Sequence, residues 1–287
     1  MKSTTLFSAL ILSSVTLKAA EKKEIYKTTP QGKLAIHLHF PPDWKPTDKR
    51  PAIVFFFGGG WRAGRVSQFT AQAEYLAKRG MVTARADYRV LSRHKTKPDK
   101  CVEDCKSAVR WLRKNATRLG IDPDRIAAGG GSAGGHTAAA TAMCPGFEAK
   151  VEDQKISSKP NLLVLFNPAM DTTIARAVEK IGSKKLAKNI SPKHQMTKDA
   201  PASIILFGTN DRLLQSTQDY LKRAKSLGVE AELWTAKDQK HGFFNRSPWR
   251  ERTLYLVDQF LVRHGYLKGA ATITLKGGPM MKKTSTK

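Results

Sequence analysis

Hydrophobic positions along the chain switch repeatedly between a period of two and a period near 3.6, which sets out alternating strands and helices. Leu34, Ile36, Leu38 and Phe40 alternate with polar or small neighbours, the pattern of a half-buried strand, and Pro41-Pro42 ends it. Pro51-Ala52-Ile53-Val54-Phe55-Phe56-Phe57 is apolar throughout, as in a strand buried on both faces. Phe69, Ala73, Leu76 and Ala77 then share one stripe of a helix from Ser67 to Arg79, stopped by Gly80. Met81 to Tyr88 reads as the next strand, and a helix between Asp99 and Leu119 buries Val102, Ala108, Val109 and Leu112 before Gly120. Arg125 to Ala128 is a short buried strand, and Ala138 to Ala142 continues the helix after it. Further strands are expected at 161–166, 202–207 and 229–234, with helices at 215–227 and 249–264. Residues 21–33 read as a charged loop, 170–200 as a Lys-rich, partly helical excursion, and the basic tail from Lys268 as disordered.

Strands joined through helices pair in parallel with right-handed crossovers, so the pattern predicts an α/β fold with a mostly parallel central sheet and helices on both faces. In such sheets ligands gather at the carboxyl ends of the strands. A length of 287 residues suits one large domain, here expected over 21–267, with the tail 268–287 outside it. Residues 1–20 carry Lys2 and an apolar run from Leu6 to Leu17, which reads as a secretory signal peptide and is short for a bilayer span. Export would place Cys101, Cys105 and Cys144 where disulfides form; the odd number and the four-residue spacing of the first two favour buried free thiols.

Fifty Lys and Arg against 24 Asp and Glu give a formal net charge of +26. The cations are spread through loops and helix faces without a nucleic-acid-binding motif, so a specific nucleic-acid partner is not indicated. A solvated lysine-rich surface is the simpler reading, with anionic polysaccharide as the partner class that fits an exported chain.

The chemistry concentrates at Gly130-Gly131-Ser132-Ala133-Gly134, a G-x-S-x-G run at a strand-to-helix turn, where a serine hydroxyl stands exposed beside helix N–H groups. Serine needs a base. His241, in the late loop Lys240-His241-Gly242, is the best placed of seven histidines, and His136, four residues along the serine's own helix, is its nearest rival. A carboxylate must fix the imidazole: Asp211 follows a strand and the turn Gly208-Thr209-Asn210, ahead of Asp171 and Asp238. Gly58-Gly59-Gly60, after an apolar strand, offers unobstructed N–H donors, which Ala133 would join, so Gly59, Gly60 and Ala133 are the candidate oxyanion hole. Trp61 and Arg62 follow directly as candidate substrate contacts, whereas Asp87, Arg89 and Asp104 read as structural anchors. No metal or organic cofactor is needed for this chemistry.

Taken together, Phe57-Gly58-Gly59-Gly60-Trp61, Asp87-Tyr88-Arg89, Gly130 to His136, Gly208 to Asp211 and Lys240 to Phe243 resemble the α/β-hydrolase esterases over about residues 30 to 265. Within that superfamily the chain is most similar to the hormone-sensitive-lipase-like esterases and the bacterial carbohydrate and feruloyl branch, including acetyl xylan esterase-like proteins. The resemblance implies the α/β-hydrolase fold, the order Ser132, Asp211, His241, and hydrolysis of esters, on small molecules or polysaccharide. The 170–200 segment, short for a lid, favours small acyl groups, and Arg62 would suit an anionic substrate. The family begins its glycine motif with His where this chain has Phe57, so a bracing side chain is lost while the N–H donors stay. Two alternatives are a serine peptidase of the prolyl oligopeptidase type and a non-catalytic polysaccharide-binding or adhesion module on the same fold.

Overall fold

The computed structural model describes residues 21–285; the expected signal peptide, residues 1–20, lies outside them. Nine strands form one sheet: β1 (Glu21–Thr29), β2 (Gly32–His39), β3 (Arg50–Phe56), β4 (Val82–Ala86), β5 (Ile121–Gly131), β6 (Leu162–Phe166), β7 (Ala202–Gly208), β8 (Ala231–Ala236) and β9 (Lys282–Ser285). Their order is β1-β2-β4-β3-β5-β6-β7-β8-β9. The pairs from β4 through β8 are parallel, and β1, β2 and β9 add antiparallel edges. The helices are α1 (Thr70–Lys78), α2 (Leu91–His94), α3 (Pro98–Lys114), α4 (Ala133–Met143), α5 (Ala175–Ile181), α6 (Lys184–Asn189), α7 (Pro192–Gln195), α8 (Leu214–Ser226) and α9 (Trp249–Arg263).

The central strands are apolar throughout because each supplies both cores. Ala52, Val54 and Phe56 of β3 belong to the core that includes α3, α4 and α8, while Ile53 and Phe55 belong to the core that includes α1 and α9. Leu163 and Leu165 of β6 divide in the same way from Leu162, Val164 and Phe166. A strand with one wet face cannot do this, and the unbroken runs follow from it. All three cysteines are buried free thiols, and burial pushes the Cys144 thiol up to about 12.

Two expectations are corrected at the sheet edges. Residues 21–29 are a strand rather than a loop, paired with β2 along its length. Nearly every β1 side chain is at least partly exposed, so neither face carries the alternation that betrays a strand. The tail expected to be disordered returns to the sheet as β9, pairing Lys282–Ser285 with β8 and burying Met281. Glu232 supplies the anchor, since Lys283 donates to it at 2.8 Å and Arg263 at 2.8 and 2.9 Å. The excursion over 170–200 forms α5, α6 and α7; Lys193 N donates to Met170 O within it, and Arg223 donates to Met196 O from α8.

Candidate active site

At the end of β5 the chain turns so abruptly that Ser132 has φ 54° and ψ −115°, a strained geometry for a residue with a side chain. The turn is tight because the flanking glycines admit backbone where a methyl would stand. A Cβ on Gly134 would lie 2.1 Å from Phe56 O, and one on Gly130 2.5 Å from the Gly134 backbone. The G-x-S-x-G spacing is thus a steric demand of seating α4 against β3. The strained turn lifts Ser132 Oγ into a cleft of about 500 Å³ above the strand ends.

The structure brings together the three residues expected to act as a unit. His241 Nε2 lies 2.9 Å from Ser132 Oγ, and His241 Nδ1 lies 2.6 Å from Asp211 Oδ2. Because the carboxylate only accepts, Nδ1 carries the proton in this contact and Nε2 is left to accept from the serine. Asp211 is itself held, receiving Leu213 N on Oδ1 at 2.9 Å and sitting only 4 % exposed. Asp171, the alternative carboxylate, accepts instead from Thr173 and Lys193. Burial would raise its pKa, but those partners outweigh burial and hold it below the usual value. Asp238 is exposed in the histidine loop, and among the described residues it makes no hydrogen bond or ion pair with His241, whose Nδ1 is taken by Asp211.

His136, the rival base, is fully buried and serves another purpose. Its Nε2 lies 2.7 Å from Ile190 O, so that nitrogen donates and Nδ1 accepts from Trp61 Nε1 at 3.1 Å. Burial lowers its pKa to about 4, which keeps it neutral. It ties α4 to Trp61 on one side and to the end of α6 on the other.

Gly58, Gly59, Gly60 and Ala133 all line the cleft. Among the described residues, the N–H groups of Gly59, Gly60 and Ala133 have no protein acceptor. Gly59 has φ +135°, and a Cβ there would collide with Ala63 O at 2.0 Å, so only glycine fits. Phe57, which stands in place of the histidine of the resembled family, braces the loop by other means. Its ring stacks on Tyr88 at 4.2 Å between centroids, and Tyr88 Oη donates to its carbonyl at 2.5 Å.

Other residues of the site gave no sequence signal of their own. Gln68 Oε1 accepts from Gly58 N at 2.6 Å while its Nε2 donates to Asn245 Oδ1 at 3.1 Å. Asn245 in turn donates to Gly242 O at 2.9 Å, so one chain of amides links the glycine run to the histidine loop. Asn167, at the end of β6 with φ 38°, receives Gly242 N at 3.1 Å. Its position directly after a strand was the available clue. Trp61 lines the cleft as expected; Arg62 does not, lying exposed beside a neighbouring depression. Arg176, Lys180 and Arg212 line the cleft in its place. Trp61, φ 61°, is the last of three successive positive-φ residues after Gly59 and Gly60. The anchors are as expected: Arg89 grips Asp104 through two nitrogens at 2.8 Å.

A hydroxyl, an imidazole and a buried carboxylate in hydrogen-bonded line, beside free N–H groups at the strand ends of a mostly parallel sheet, define a serine hydrolase of the α/β class. The comparisons with known proteins agree. A family model described as BD-FAE matches residues 37–167. The structure of Thermogutta terrifontis esterase 2 phosphorylated by paraoxon superposes with a TM-score of 0.83 at 42 % identity, covering 90 % of this chain and 99 % of the other. The propionate-bound form of that esterase gives 0.82 at 43 % identity, covering 88 % and 97 %. Carboxylesterase NlhH of Mycobacterium tuberculosis is 24 % identical over 233 residues, 74 % of this chain and 72 % of the relative. The chain belongs to the α/β-hydrolase esterases of the hormone-sensitive-lipase-like kind, and it is a serine hydrolase with carboxylesterase activity.

Proposed function

We propose that Ser132, His241 and Asp211 carry this activity through an acyl-enzyme, with Gly59, Gly60 and Ala133 as the oxyanion hole. His241 Nε2 takes the Ser132 proton as Oγ bonds to the ester carbon, and the carbonyl π electrons move onto oxygen, where the N–H groups receive them. Collapse expels the alkoxide, which takes the proton from His241. Water then gives a proton to the same nitrogen, attacks the acyl carbon, and Ser132 leaves with that proton as the acid is released. Asp211 holds the tautomer and balances the imidazolium throughout. The observation that carries this reading is the line from Asp211 Oδ2 through His241 to Ser132 Oγ, with contacts of 2.6 and 2.9 Å.

The natural substrate is a short-acyl ester, on a small molecule or on acetylated or feruloylated polysaccharide, and the chain is exported. The propionate-bound relative and a cleft of about 500 Å³ support short acyl groups. The apolar run from Leu6 to Leu17 behind Lys2 supports export. No helix among the described residues is long and apolar enough to cross a membrane.

Hydrolysis of p-nitrophenyl butyrate by fractionated cells expressing the full chain tests both halves. Ser132→Ala should lower kcat/KM by about 10⁴-fold or more. Unchanged turnover in that variant would overturn the residue assignment, and wild-type activity confined to the cytoplasm would overturn export.

A further inference from the structure

Among the described residues, the cleft that holds Ser132 is lined by three cations, Arg176, Lys180 and Arg212, and by no carboxylate side chain. Arg176 and Lys180 stand four residues apart on α5, each directly before a buried residue, Ala177 and Ile181, and Arg212 follows Asp211 in the loop after β7. Among the described residues none of the three makes an ion pair or a side-chain hydrogen bond. By contrast, Lys193 pairs with Asp171 at 3.0 Å and Arg93 with Asp87 at 2.6 Å.

Their closeness has a cost. Burial, and then the charges of Arg176, Arg212 and Arg62, push the Lys180 ammonium below its usual pKa, and only Glu179 acts the other way. Like charges four apart on a helix repel by a few tenths of a kcal/mol even when solvated. The Lys180 ammonium also stands over the glycine run, since a Cβ on Gly60 would lie 3.0 Å from its Nζ. An anion placed among the three would relieve the repulsion and lie alongside the ester being cleaved. Walls of one charge around a cleft also concentrate a ligand of the opposite sign.

Building on the esterase reading above, we propose that the preferred ester carries an anionic group, a carboxylate in the simplest case, seated among Arg176, Lys180 and Arg212. The chemistry is a negative charge beside the scissile bond, on either the acyl or the alcohol portion. Two matched pairs of substrates separate those positions. p-Nitrophenyl hemisuccinate against p-nitrophenyl butyrate places the charge on the acyl group; 3-carboxy-4-nitrophenyl acetate against 4-nitrophenyl acetate places it on the alcohol.

For each pair the ratio of kcat/KM, anionic over neutral, is measured at pH 7 in wild type and in the triple variant Arg176→Ala, Lys180→Ala, Arg212→Ala. Comparing ratios cancels intrinsic ester reactivity. The expected result is a ratio at least tenfold higher in wild type for one pair, an excess that shrinks as salt is added. Ratios within twofold of each other for both pairs would overturn the proposal. So would an equal drop in a control that removes three exposed cations elsewhere, Lys33, Lys78 and Lys225. Should the triple variant not fold, Lys180→Ala and Arg212→Ala alone supply the same comparison. Failure of wild type on both neutral esters would instead count against the esterase reading itself, so the two failures are distinct.

Discussion

The two walls of the cleft are built by opposite means. One is backbone: Gly58 to Gly60, the Ser132 turn and Ala133, set by contacts so close that a methyl cannot enter at Gly59 or Gly134. The other is exposed side chain: Arg176 and Lys180 on α5 and Arg212 after β7, held by no partner among the described residues. The difference follows from the physics each wall serves. Donors to an oxyanion act over a few tenths of an ångström and must be placed before the reaction begins. A field that gathers anions tolerates looser placement, because Coulomb attraction falls slowly with distance. Rigidity is therefore spent on the first wall and charge on the second.

The sharpest way to break this contrast is to disturb the backbone wall by one methyl. Gly59→Ala requires φ +135° of a residue with a side chain and pushes against Ala63 O. It should lower kcat/KM on neutral esters by about 10²- to 10³-fold, the usual cost of a displaced oxyanion donor. Activity within a few-fold of wild type would show that the glycine run is not fixed by sterics.

A second test reaches the wall from behind, through His136. Its folded pKa of about 4 lies below the ordinary 6.5, so the folded state binds fewer protons than the unfolded one between those values. The stability contributed by neutral His136 is intact above pH 6.5 and is lost as pH falls toward 4, by about 3 kcal/mol in all. His136→Gln keeps a donor for Ile190 O and should flatten urea-measured stability over that window by a comparable amount. An unaltered slope would mean that His136 is not the neutral strut between Trp61 and α6.

The smallest expected effect lies where the backbone wall meets the histidine loop. Gln68→Ala removes the acceptor of Gly58 N and the link to Asn245, and should lower kcat by about tenfold with little change in KM. A loss confined to KM would place Gln68 in substrate contact and not in support of the loop.

Legibility in the sequence divides along the same line as the walls. The strands of the central sheet show as unbroken apolar runs because both faces are covered, and the Ser132 turn shows because its glycines are a steric necessity. His241 and Asp211 could be chosen by their places after late strands, which parallel topology carries to one edge. The cationic wall was not legible, since it depends on how residues 170–200 fold back over the strand ends, and Lys, Arg and Ala in a short helix carry no sign of what they will face. Arg62 was a reasonable expectation by adjacency, but the run of positive φ over Gly59, Gly60 and Trp61, which adjacency does not reveal, precedes it. Gln68 and Asn245 stand 177 positions apart, and their amides act only because the fold joins them.

The paired tail bears on how the molecule behaves in a crowd. An open sheet offers two rows of unsatisfied amides to any passing strand, and edges of that kind recruit other chains. Here β8 is not the outermost strand, because the chain's own Lys282–Ser285 occupies that position. At the opposite end β1 is the outermost strand, and its charges are largely matched: Lys22 pairs with Glu24 at 3.0 Å and Lys27 with Asp104 at 2.7 Å. The border at β8 is thus covered by a segment of the same chain, so a passing strand meets the short β9 before the longer β8.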